Sequence, residues 1–149
     1  MSLSAKVMTA LKEAMKSKDQ TALTALRAVK SAILLAQTET GSKEELTEEQ
    51  ELKLLQKQVK QRKDSAAVYI DQGREDLAEP ELAEAKVIEQ FLPEAMSEDE
   101  VAKIVEDIIA KTGAEGMKDM GKVMGIASKE LAGRADGKTI SNIVKAKLA

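Results

Sequence analysis

The chain has 149 residues, a net charge of −3 and a charged fraction of 33%, with no cysteine and no histidine. That length suits one domain or two small ones able to bury a core without covalent staples. The missing cysteine removes disulfides, thiolate nucleophiles and cysteine zinc sites, and the missing histidine removes Ser-His-Asp and Cys-His catalysis and HExxH zinc chemistry. Tyr69 and Phe91 are the whole aromatic content against abundant Ala, Leu, Glu, Lys, Gln and Met, so an all-α fold is expected. No run of about 18 apolar residues and no basic-then-apolar leader occurs, which points to a cytoplasmic protein that does not enter the membrane.

Residues 3–17 place Leu3, Val7, Leu11 and Met15 four apart, the pattern of an amphipathic helix ending near Lys18. Asp19 can cap a second helix whose apolar stripe is expected to hold Leu23, Leu26, Ile33 and Leu34. On that wheel Lys30 falls mid-stripe and Arg27 at the margin. Gly41-Ser42 and the acidic run that follows read as a flexible connection. Thr47-x-x-Gln50 is a capping-box pattern and opens a long central helix to about Asp71. Its expected stripe is Leu52, Leu55, Val59, Ala66 and Ile70, with Lys63 inside it and Arg62 at its edge. A cation in such a stripe either snorkels to water or marks a cationic contact site. The two pairs of cations on neighbouring helices could converge. Gly73 reads as a left-handed stop and Pro80 as the first turn of a fourth helix carrying Leu82, Val87, Ile88, Phe91 and Leu92. Pro93 forbids continuation, which sets a boundary between an N-terminal helical domain of about four helices, residues 1–95, and a C-terminal domain, residues 96–149.

Ser97-Glu98-Asp99-Glu100 is a second capping-box pattern, and the helix it opens carries Val101, Ile104, Val105, Ile108 and Ile109 up to Gly113. The next helix spans about Lys118 to Leu131, with Met117, Met120 and Met124 expected as core filling. Its Gly121 and Gly125 permit close approach of another helix at a cost of about 1 kcal/mol per glycine. Asp136 can cap a last helix with Ile140, Ile143, Val144 and Leu148 facing inward, which completes a three-helix bundle. Charge is uneven: residues 97–116 hold two Lys against six acidic residues, whereas residues 117–149 hold seven Lys or Arg against three. In the turn from Leu131 to Lys138, Arg134 and Lys138 flank a helix start, a combination suited to a phosphate. The competing reading is a C-cap at Gly133 followed by an N-cap at Asp136.

Carboxylate pairs such as Glu45/Glu49 and Glu75/Glu79 read as solvated faces. Ser65, Ser128 and Ser141 have no histidine to activate them. Gly121-x-x-x-Gly125 lacks the preceding strand of a phosphate loop. No catalytic residue, metal ligand or cofactor is expected.

Several segments, in their order and spacing, resemble the YqeY family of small bacterial proteins across residues 1–149. They are Leu26-Arg27-x-Val29-Lys30-Ser31-Ala32-Ile33, Val59 to Ser65, Gly73-Arg74-x-Asp76-Leu77-Ala78-x-x-Glu81, Phe91-Leu92-Pro93, Asp119 to Gly125 and Gly133 to Gly137. The family is similar to the C-terminal tail region of the B subunit of the glutamyl-tRNA(Gln)/aspartyl-tRNA(Asn) amidotransferase, a carbon–nitrogen ligase with glutamine as amido-N donor. The resemblance implies a helical N-terminal domain followed by a three-helix C-terminal domain. That enzyme's kinase chemistry lies in a separate cradle domain that has no counterpart here, so the resemblance implies tRNA contact by a non-catalytic accessory module. The positions expected to make that contact are Arg27, Lys30, Arg62 and Lys63 in the first domain, and Lys118, Lys122, Arg134 and Lys138 in the second. Arg and Lys can hold folded RNA through phosphates and 2′-hydroxyls, whereas single-strand base reading needs aromatic platforms that this chain lacks. The expected partner is tRNA or an aminoacyl-tRNA-handling complex. The alternatives are a helical protein-interaction module and, further off, a component of the ligase activity itself.

Overall fold

A computed structural model of the protein describes residues 2–39 and 45–149. These residues form α1 (Leu3–Ser17), α2 (Gln20–Glu39), α3 (Glu48–Asp71), α4 (Glu75–Glu89), α5 (Glu98–Thr112), a 3-10 turn (Met117–Asp119), α6 (Met120–Glu130) and α7 (Gly137–Leu148). The fold is all-α. The expected connection at Gly41-Ser42 lies outside the described residues. The chain divides into two compact units, Met1–Leu92 and Pro93–Ala149, each with its own apolar core.

The helix starts follow from their capping residues. Ser2 Oγ accepts from Ala5 N–H, Asp19 Oδ1 from Ala22 N–H, and Asp136 Oδ1 from Thr139 N–H. Thr47 and Gln50 make the reciprocal box, side chain to backbone in both directions. Ser97 Oγ accepts from Glu100 N–H, but the Glu100 carboxylate takes up the Ser97 hydroxyl instead of reaching the backbone. Satisfying orphan N–H groups in this way is worth about 1 kcal/mol per cap.

In the first unit α1 and α2 form an antiparallel hairpin that buries Leu3, Val7, Leu11 and Ala14 against Leu23, Leu26, Val29 and Ile33. Met15, expected in the stripe, is exposed. A strict four-residue repeat advances by about 40° per step, and a three-residue step to Ala14 is what returns the stripe to the core. Leu34 is exposed for the same reason, the core following Leu26, Val29 and Ile33, so that Lys30 and Arg27 are exposed on the flank of α2.

Helices α3 and α4 form the second hairpin. Along α3 the seam runs Leu55, Val59, Arg62, Ala66, and along α4 Ala78, Glu81, Ala85, Ile88, each alternating steps of three and four. That is the spacing of left-handed coiled-coil packing. The expected stripe leaned toward Leu52 and Ile70; Ile70 is exposed, and the true centre lies about 25° away on the wheel. The shift brings Arg62 into the seam and turns Lys63 outward. Gly73, at φ +73°, lets the chain reverse within the turn, and α4 begins at Glu75, a full turn earlier than Pro80 suggested. Glu75 and Asp76 favour that earlier start, because acidic side chains complement the helix N-terminus. Pro80 therefore sits in the second turn, and Leu82 is exposed.

In the second unit Val101, Val105 and Ile108 of α5 pack with Val123 and Ala127 of α6, Leu131 just after it, and Ile140, Val144 and Leu148 of α7. Met120 and Met124 pack against this core, but Met117 is exposed on the 3-10 turn.

Candidate nucleic-acid interface

The cations expected to contact RNA fall into three structural situations. Arg62 is held inside the α3–α4 seam. Its Nη1 donates to Gln58 Oε1 (2.8 Å) and to the Gln58 backbone oxygen (3.1 Å), and its Nε lies 3.6 Å from Glu84 Oε1. Only 13% of the Arg62 side chain is exposed, and Nε has no hydrogen-bond partner in its buried position. Lys63 is exposed but sits 2.7 Å from Glu89 Oε1. Both α3 cations are thus engaged by carboxylates of α4.

Arg27 and Lys30 are on the exposed flank of α2, and Lys30 lines a groove with Ser4 and Val7 of α1. The α3 pair thus meets α4, whereas Lys30 borders the α1–α2 groove.

The second unit presents its cations differently. Lys118 on the 3-10 turn and Lys122 on α6 are exposed, and Lys129, seven residues on, shares their face. Gly121 and Gly125 lie on the same face, and a Cβ added at either would meet nothing within 4 Å. The opposite side of α6 buries Val123 and Ala127. One side of this helix is therefore three lysines around two residues without side chains. Among the described residues, no carboxylate lies within ion-pair distance of these lysines. Lys129 was missed from the sequence, although the seven-residue step from Lys122 is the signal that places it.

Arg134 lies in the α6–α7 connection and is tied to the segment before α5. Its Nε donates to Glu94 O (3.3 Å), and its own carbonyl accepts from Met96 N–H (3.0 Å). Lys138 is exposed in the first turn of α7. Gly133, at φ +78°, ends the preceding turn and Asp136 caps the helix, as in the simpler of the two readings of this loop. The Asp136 carboxylate occupies the helix start that an anion would need.

Among the described residues no group of three acidic side chains gathers in a way that could hold a metal ion. No helix among them is long and apolar enough to cross a membrane. What the α6 face can do is place ammonium groups around a strip of accessible backbone, an arrangement suited to a phosphodiester chain.

Comparison with known proteins gives a match to the family model described as Yqey-like protein over residues 4–148. The E subunit of the glutamyl-tRNA(Gln) amidotransferase of Thermococcus gammatolerans is 38% identical over 73 residues, which is 46% of this chain and 12% of that protein. The chain thus corresponds to a small part of that much longer relative. Other relatives bear the name altered inheritance of mitochondria protein 41, mitochondrial. The one from Pyrenophora tritici-repentis is 32% identical over 84% of this chain and 68% of its own length. The one from Kluyveromyces lactis is 32% identical over 91% of this chain and 70% of its own. These names place relatives in mitochondria, so the family is not confined to the cytoplasm. On the near-complete span of the family match, the chain belongs to the Yqey-like family.

Proposed function

We propose that the protein is a non-catalytic module that contacts tRNA, or an aminoacyl-tRNA-handling complex, through the lysine face of α6. The observation that carries this reading is the set Lys118, Lys122 and Lys129 around Gly121 and Gly125, with no carboxylate among the described residues paired to these lysines. Similarity to part of an amidotransferase whose name includes glutamyl-tRNA(Gln) supports RNA as the polyanion. Arg134 and Lys138, exposed in and just after the connection that follows α6, add positive charge to the same unit. Arg62 and Lys63 are engaged by Glu84 and Glu89, and Arg27 and Lys30 stand among exposed aliphatic side chains, so the reading rests on the C-terminal unit.

Backbone recognition of this kind releases counterions, so affinity falls steeply with salt. In a filter-binding titration of unfractionated tRNA, the logarithm of affinity should fall linearly with the logarithm of salt concentration. The variant Lys122→Glu/Lys129→Glu should bind more weakly, with a slope shallower by roughly one unit for each phosphate that is no longer engaged. Undetectable binding in dilute buffer, or an unchanged slope in the variant, would refute the reading.

A further inference from the structure

The distal part of the α3–α4 hairpin leaves the core of its unit. Leu55 and Val59 on α3, and Ala85 and Ile88 on α4, belong to that core, but no residue between 60 and 84 does. The side chains buried there are Ala66 and Ala78, which pack within the hairpin itself. The ten residues of α3 beyond Gln61 make an arm about 15 Å long at about 1.5 Å per residue. The arm exposes four large aliphatic side chains, Val68, Ile70, Leu77 and Leu82, between 38% and 53%. Residues 64–82 hold six acidic residues against one arginine. A two-helix arm that is acidic and apolar at once gains little from standing in water.

The same unit carries the complementary surface. Between α1 and α2 a groove is lined by Ser4, Val7, Lys30, Ile33, Leu34 and Gln37. Met8 and Met15 continue its α1 wall, about one and about three turns beyond Ser4, and both are exposed. Arg27 stands one turn before Lys30 on the α2 wall. Residues 2–39 hold six Lys or Arg against three acidic residues, the reverse of the arm. The groove is thus apolar along its walls and cationic at its rim.

We propose that the arm of one molecule docks into the α1–α2 groove of a second copy of this chain. Two exposed aliphatic surfaces are covered by one contact, and the opposite charges set its orientation. Reciprocal exchange of arms gives a closed two-fold dimer, in which each molecule supplies one arm and one groove. This contact uses neither the α6 lysines nor RNA, so it stands or falls apart from the proposed tRNA role.

Sedimentation equilibrium of the full chain should show a dimer in dilute buffer that dissociates as salt is raised. The groove variant Arg27→Glu/Lys30→Glu and the arm variant Asp71→Lys/Glu79→Lys should each be monomeric, with helical circular dichroism unchanged because all four side chains are exposed. An equimolar mixture of the two variants should recover the dimer, since the reversed groove then meets the reversed arm. A wild-type chain that stays monomeric near 200 µM in dilute buffer, about the concentration at which weak contacts form, would overturn the proposal. So would a dimer indifferent to both variants, or a mixture that stays monomeric, as expected if the groove takes an acidic helix of another protein.

Discussion

Replacing Glu84 by alanine takes away the carboxylate that faces Arg62 inside the α3–α4 seam, where the two side chains are 13% and 16% exposed. The guanidinium is left with Gln58 alone. Breaking such a pair from one side costs more than the pair contributes, because the remaining charge is desolvated and uncompensated. The partial exposure of both groups lowers that penalty below the fully buried case. Glu84→Ala should therefore destabilise by about 2 kcal/mol in urea denaturation, while Arg62→Met/Glu84→Met should lie within about 1 kcal/mol of wild type. A double variant as unstable as the sum of the two single variants would show that the charges are uncoupled. The arginine was readable as a misfit in an apolar stripe. Its direction depended on which face of α3 meets α4, and two exposed aliphatic residues, Ile70 and Val68, blurred that face on the wheel.

Glycine substitutions separate the two hairpin-forming roles of sequence at the scale of the element. Gly73 occupies the left-handed region in the turn between α3 and α4, so Gly73→Ala should cost about 1 kcal/mol. Gly125 lies in the middle of α6 with open space where a Cβ would be. Gly125→Ala should stabilise the second unit by up to about 1 kcal/mol, through higher helix propensity. If α6 lies against a phosphate backbone, the same substitution should weaken tRNA binding in a filter-binding titration. Greater stability with unchanged binding would place the RNA contact elsewhere. Beside Gly73, the Arg74 guanidinium donates to both carboxylate oxygens of Asp76 and holds its carboxyl below the usual carboxylate range. A lowered pKa in the folded state contributes stability at neutral pH, and that contribution fades as the pH falls through the acid range.

At the scale of the whole molecule the two units have separate cores, and we propose that they unfold as separate cooperative transitions. Leu26 and Leu131 are fully buried, one in each core. Leu26→Ala and Leu131→Ala should each cost about 3 kcal/mol, the usual scale for a leucine cavity. In calorimetry each variant should shift one transition and leave the other in place. A single transition lowered equally by both would mean that the units melt together.

Composition and local pattern were sufficient for the helical class, for the helix starts at Thr47, Ser97 and Asp136, and for the stop at Gly73, because capping and left-handed turns are satisfied by residues within a few positions of each other. The family resemblance was legible in the same way, as short segments in a fixed order. Which flank of a helix turns inward is a property of its neighbours. Steps of three and four differ by about 100° on the wheel, and only the packed partner decides between Met15 and Ala14, Leu34 and Ile33, or Lys63 and Arg62. For that reason the fate of each cation, engaged in a seam, lining a groove or free on α6, was decided by tertiary structure and not by the spacing of the residues.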